Sequence, residues 1–169
     1  MGPDSPHHIL RPVRLSTILL SFLAALVLAF LPWSDLRLVP DFVALVIAFW
    51  CVRQPRLVGL GVAWTLGLLT DAGNGVLLGQ HALAYSVLAF LSIWLSRRIL
   101  WFPAPQQMLH VAVLLLATQA VLLLVRMAAG AGFPGWALLT GPLLGALLWP
   151  LLSWLLLMPQ RRQDREQMI

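Results

Sequence analysis

Apolar residues run through this chain in six long stretches, and the polar positions gather in the gaps between them. The stretches cover residues 15–31, 39–52, 57–71, 82–96, 107–125 and 136–157. A helix needs about 17–25 mostly apolar residues to cross a hydrocarbon core of ~30 Å, so the pattern predicts an all-α, polytopic membrane protein with six transmembrane helices. The second and third stretches, 14 and 15 residues long, have the length of buried core helices or re-entrant pieces. They are read as spans because their flanks carry the same topological signal as the rest. Residues 11–158 thus form one six-helix membrane domain, set between a disordered cytoplasmic tail at 1–10 and a basic cytoplasmic tail at 159–169. The first stretch follows Arg11 and Arg14 as the core of a cleaved signal would, but it is long for that role. "FLPWSD" also lacks a small-x-small cleavage site, so the stretch is kept as a span.

The arginines set the orientation. With the N-terminus in the cytoplasm, six crossings leave Arg11, Arg14, Arg53, Arg56, Arg97, Arg98, Arg161, Arg162 and Arg165 inside and only Arg37 and Arg126 outside. That imbalance follows the positive-inside rule loop by loop, and it puts both termini in the cytoplasm. Tryptophans are expected in interfacial belts: Trp33 and Trp136 at outer ends, and Trp50, Trp94, Trp101 and Trp154 at inner ones. Trp64 and Trp149 sit deeper and are expected to pack between helices. In "WFPAPQQ", at 101–107, the prolines stop one helix and start the next.

Composition agrees with lipid as the solvent. Of 169 residues, 60% are hydrophobic and 10% charged, against about 45–50% apolar in ordinary soluble domains. A net charge of +5 suits a nucleic-acid binder only if the basic residues share one face. Here they are scattered between apolar runs, so no nucleic-acid partner is expected. The single cysteine, Cys51, excludes an internal disulfide and reads as a small buried hydrophobe.

Polar chemistry concentrates in "GLLTDAGNGVLLGQHAL", residues 67–83. At ~1.5 Å per residue the third span covers only about 22 Å, so the turn after Asp71 is expected to dip below the outer surface. Backbone at that depth needs protein or trapped water to satisfy its amides. Gly73, Gly75 and Gly79 are expected to supply the positive φ angles and close approach of a packed hairpin tip. Asp41, after Pro40 at the start of the second span, lies at the same face, with Arg126 and His81 near it in topology. A charge in lipid is costly unless paired or hydrated, which predicts an ion pair from Arg126 to Asp71 or Asp41. Asp41, Asp71, Arg126 and His81 form a periplasmic-side polar cluster with two open readings: helix capping and internal pairing, or a ligand or partner site.

Elsewhere the residues read as packing. Gly141 and Gly145 in the sixth span, and Ala25 and Ala29 in the first, lie one turn apart and let helices approach closely. Pro142 and Pro150 are expected to bend the sixth span. Thr65, Thr70 and Gln119 are mild polar groups able to hydrogen-bond between helices. Catalytic patterns are absent: there is no His-Glu-x-x-His, no Gly-x-Ser-x-Gly and no serine with a base beside it. No catalytic residue, metal or cofactor is expected, and the chain is read as a non-enzyme.

Within residues 40–91, Pro40-Asp41 opens the second span, Trp50 stands near its end, Pro55 lies in the inner loop, and Gly67-Leu68-Leu69-x-Asp71 and Leu78-Gly79-x-x-Ala82-Leu83 follow. In this order and spacing they resemble the rod shape-determining protein MreD family. The resemblance implies a non-enzymatic subunit of the bacterial inner membrane, in the elongation complex that directs lateral peptidoglycan synthesis and rod shape. It implies partnership with an MreC-like protein, and with MreB, RodA and its class B transpeptidase directly or indirectly. It also implies a fold similar to the six-helix substrate-binding subunits of energy-coupling-factor transporters. The alternative is a small-molecule-binding transporter subunit, with Asp41, Asp71 and the glycine turn lining an outward pocket. The arginine pairs at 97–98 and 161–162 serve as topological anchors or as contacts to anionic lipid or an acidic partner.

Overall fold

The shortest helix is the centre of the molecule. The computed structural model describes residues 14–31 and 39–166; the expected tail at 1–10, together with Arg11, Trp33 and Arg37, lies outside the described residues. In chain order the helices are α1 (Leu15–Phe30), α2 (Phe42–Arg53), α3 (Leu60–Asn74), α4 (Gln80–Trp101), α5 (Ala104–Ala128) and α6 (Thr140–Glu166). A 3-10 turn at Trp136–Leu139 precedes α6. Within α2, every residue from Val43 to Val52 is buried, because α1, α4, α5 and α6 all pack against it. A helix that is apolar all round needs an apolar surround on every side; here neighbouring helices provide it, and lipid does not.

Lipid faces the outer helices instead. Leu19, Leu20 and Leu23 of α1, Phe90 and Trp94 of α4, Val113 and Leu124 of α5, and Leu147 and Leu151 of α6 all point outward. Three helices are long and apolar enough to cross a membrane: α4, α5, and α6 over Thr140–Met158. Between apolar side chains and lipid tails there is little hydrophobic difference, so close packing must hold such helices together. Gly145 meets this need, with Leu115 of α5 and Leu45 of α2 filling the space a side chain would take. Gly141 lies against the Val39 carbonyl, Ala25 is buried, and Ala29 packs on the core.

Side-chain contacts fix the direction of each helix. Leu45 and Phe49 of α2 meet Gly145 and Trp149 of α6 in step, so these two run parallel. Trp149 Nε1–H donates to Gln107 Oε1 at 3.2 Å, near the start of α5, which makes α5 and α6 antiparallel. Phe30, ending α1, covers Gly73 near the end of α3. The starts of α2, α4 and α6 and the ends of α1, α3 and α5 therefore share one end of the bundle. Arg53, Arg56, Arg97 and Arg98 lie at the other end, and Arg126 lies at the first.

Several expectations are corrected. Helices α4, α5 and α6 outrun their apolar cores into polar flanks, since nothing in "SRRILW" breaks a helix before Phe102-Pro103. Likewise α6 runs on through 159–166, within the stretch read as a basic tail. Trp50 is fully buried and not interfacial: its Nε1–H donates to Ser21 Oγ at 2.8 Å, because α2 has no lipid-facing side. Trp64, expected between helices, is 50% exposed. Thr65 bonds carbonyls of its own helix, whereas Thr70 bonds the Leu66 carbonyl of α3 and also meets the Tyr85 hydroxyl of α4. Trp149 and Cys51 are buried as expected, and Pro103 and Pro105 open α5.

Candidate functional site

Helix α3 does not stop at Asp71. It continues to Asn74 and closes on Gly75, whose φ of 61° is the left-handed conformation glycine adopts freely. The Val76 amide donates to the Asp71 carbonyl at 3.2 Å, and the Gly75 amide to the Ala72 carbonyl at 3.4 Å, a Schellman closure. Gly79, with φ 99°, then turns the chain into α4. Gly73 is helical and not a turn glycine; its missing side chain makes room for the Phe30 ring.

The Asp71 carboxylate, 0% exposed, reaches across this turn to the start of α4. Its Oδ2 accepts from the Gly79 amide at 2.9 Å and its Oδ1 from the His81 amide at 2.9 Å. The Ala82 amide adds a longer contact at 3.4 Å, and His81 Nδ1 lies 2.7 Å from Oδ1. The first amides of a helix have no partner within it and carry the positive end of its dipole. Asp71 therefore caps α4 from the last turn of α3, a cap supplied by a neighbouring helix. That is how a tight turn at membrane depth satisfies its backbone.

Asp41 caps its own helix. Its Oδ1 accepts from the Ala44 amide at 2.9 Å, and the Tyr85 hydroxyl donates to the carboxylate at 2.9–3.0 Å. Asp41 is the N-cap, so Pro40 stands before the helix and not in its first position. Tyr85 lies one turn beyond His81 on α4, and the two rings meet edge to face at 5.6 Å. The two aspartates are thus joined through α4: Asp71 to His81, His81 to Tyr85, Tyr85 to Asp41. Tyr85 was not singled out from the sequence, although a lone tyrosine in an apolar helix signals a hydroxyl that must find a partner.

The expected ion pair with Arg126 is not formed among the described residues. Arg126 is exposed near the end of α5, seven residues beyond Gln119, which is about 10 Å along the helix. Gln119 and Asp41 line one cavity and so lie at the same level. Asp41 thus sits about 10 Å inside the plane of Arg126 and, at twelve residues from Arg53, about 18 Å from the other charged end. The sum, about 28 Å, matches a hydrocarbon core of ~30 Å. The start of a short central helix is a deep position.

That cavity measures about 200 Å³ and lies between the start of α2, the middle of α5 and the start of α6. Asp41, Thr118, Gln119 and Leu138 contribute to its walls; Asp71 and the glycine turn do not. Among the described residues, removing the hydroxyl in Tyr85→Phe leaves Asp41 with backbone amides of its own helix alone. The expected cost is about 1–3 kcal/mol of stability, read as a lower thermal midpoint of the detergent-solubilised protein. An unchanged midpoint would show that the contact carries no weight.

A lipid-facing exterior and inward-turned polar groups define an all-helical integral membrane protein whose two aspartates lock its helices together. Among the described residues no cluster of His, Cys, Asp or Glu is arranged to hold a metal. The chain belongs to the MreD family: the family model for the rod shape-determining protein MreD matches residues 11–158. It is similar to the Rod shape-determining protein MreD of Haemophilus influenzae (strain ATCC 51907 / DSM 11121 / KW20 / Rd), 32% identical over 140 residues, covering 79% of this chain and 84% of that relative. MreD is not a known enzyme family. No solved structure matches the chain.

Proposed function

We propose that this chain is a non-enzymatic, six-pass subunit of the bacterial inner membrane, with both termini in the cytoplasm, in the complex that gives rod-shaped cells their form. In this reading it acts with an MreC-like protein and supports lateral peptidoglycan synthesis. MreB, RodA and its class B transpeptidase are met directly or through that partner. The observation that carries the reading is the family match, which spans the whole bundle from the start of α1 through the membrane-length part of α6. The geometry supports it: Asp71 is spent on capping α4, and the broad apolar faces of α1, α4, α5 and α6 remain for lipid and partner helices. The alternating helix directions favour six passes and suit a fold like that of the energy-coupling-factor subunits.

Depletion of the chain is expected to round the cells, and affinity purification from the native membrane to recover the MreC-like protein. Cells that stay rod-shaped, with no such protein recovered, would overturn the proposal. Reporter fusions at the two termini are expected to fall on the same, cytoplasmic side.

The transporter-subunit reading draws on one observation, the cavity beside Asp41. At about 200 Å³ it is smaller than the ~300–1,000 Å³ of sites that enclose a vitamin-sized molecule. A site of that size suits a much smaller group.

A further inference from the structure

We propose that Asp41 and Gln119 form an intramembrane binding site for a small cationic hydrogen-bond donor, an ammonium or guanidinium group. The inference does not depend on the role in cell shape. It rests on how differently the buried Asp71 and the half-buried Asp41 are satisfied. A carboxylate offers about four lone-pair positions. Asp71 receives protons from the amides of Gly79, His81 and Ala82 and has His81 Nδ1 beside it. Among the described residues Asp41 accepts from the Ala44 amide and from the Tyr85 hydroxyl, whose one proton is shared between its oxygens, with the Val43 amide as a further contact within its own cap. No cationic side chain among the described residues forms an ion pair with it.

Asp41, with no cation of the described residues paired to it, lines the cavity of about 200 Å³. Across that cavity stands Gln119, a partly exposed amide that makes no hydrogen bond among the described residues. Both groups lie about 10 Å inside the level of Arg126, counted at ~1.5 Å per residue along α5. A polar group at such depth is costly unless it meets a partner or water in a cavity. Two under-used polar groups on one cavity therefore share one complement. A carboxylate and an amide oxygen both accept, which selects a donor; the carboxylate's charge selects a cation. Ala44 and Leu115 give the cavity an apolar wall suited to the short carbon stem of an alkylamine or an arginine side chain. Gly141 and Pro142 complete the α6 side, where no long side chain intrudes.

The donor can come from a free solute or from a lysine or arginine of a neighbouring chain, and one experiment separates the two. A cysteine is placed at the rim as Leu138→Cys, in a Cys51→Ala background, and a second at the exposed turn as Leu78→Cys. Purified protein in detergent is treated with a cationic and an anionic methanethiosulfonate reagent. At Leu138→Cys the cationic reagent is expected to react several-fold faster than the anionic one, measured against the ratio at Leu78→Cys. Methylguanidinium is expected to slow the reaction at the rim several-fold and leave the turn unaffected. Asp41→Asn is expected to abolish both effects, and Gln119→Leu, which leaves the α2 cap intact, to abolish the protection. Shielding of the rim in native membranes, lost on purification, assigns the donor to a neighbouring chain; equal reactivity in both assigns it to a free solute. A rim with no charge preference and no protection by methylguanidinium overturns the site.

Discussion

Asp71→Ala is expected to destabilise the protein severely, with little folded material recovered from the membrane. The substitution strips the acceptor from the amides of Gly79 and His81 and from the His81 ring, and removes the longer contact to the Ala82 amide as well. Each buried donor left unmade costs about 1–3 kcal/mol. Several at one helix terminus, with the dipole uncompensated, amount to a loss of roughly 3–5 kcal/mol, the range seen when one member of a buried charged pair is removed. Water cannot repair this at membrane depth as it would in a soluble loop. Asp71→Asn keeps the shape and one acceptor, but its amide nitrogen must face a backbone N–H. It is therefore expected to fall between the parent and the alanine variant. His81→Ala removes only the ring contact and is expected to be the mildest of the three. Thermal unfolding in detergent gives the order; an alanine variant that melts with the parent would show that the carboxylate is not what closes the turn.

The apolar runs gave the number of helices and their places in the chain, because in lipid a helix must announce itself by length and hydrophobicity. They could not show that α2 is central. Burial in protein and burial in lipid demand the same residues, so Val43–Val52 reads alike in either setting. From this one ambiguity the other differences follow. Trp50 reads as interfacial until α2 is known to have no outer face. Asp41 reads as a surface position until the helix it starts is known to begin about 10 Å below the level of Arg126. Hence Arg126 was matched to carboxylates that lie too deep for it. Asp71 was legible in part: helix capping was one of the two readings left open for it, because an aspartate followed by glycines after a short span sits where backbone amides need an acceptor. What the sequence hid was the identity of the donors, which belong to α4 and come from eight to eleven residues further on.

A close backbone approach between α3 and α4 was hidden as well, and Gly67 marks it. A Cβ at Gly67 would fall onto the backbone of Ala82 and His81, and backbone cannot move aside as a flexible side chain can. Gly67→Ala is therefore expected to cost about 3 kcal/mol or more, at or above the upper end of the ~1–3 kcal/mol usual for overpacking, and Gly67→Val to abolish folding. The damage should reach the polar network. Gly67 lies one turn before Asp71 on the same face of α3, so parting α3 from α4 here also draws the carboxylate away from the amides it caps. Gly61 is the matched control: it lies on the same helix with nothing near the space its Cβ would take. Gly61→Ala is expected to be neutral or to stabilise by up to about 1 kcal/mol, through helix propensity alone. Combining Gly67→Ala with Asp71→Ala should cost less than the sum of the two, because each breaks the same hairpin and neighbouring sites do not add. Full additivity in thermal or denaturant unfolding would mean that the seam and the cap act separately. Equal melting of Gly67→Ala and Gly61→Ala would mean that the two helices do not touch where Gly67 lies.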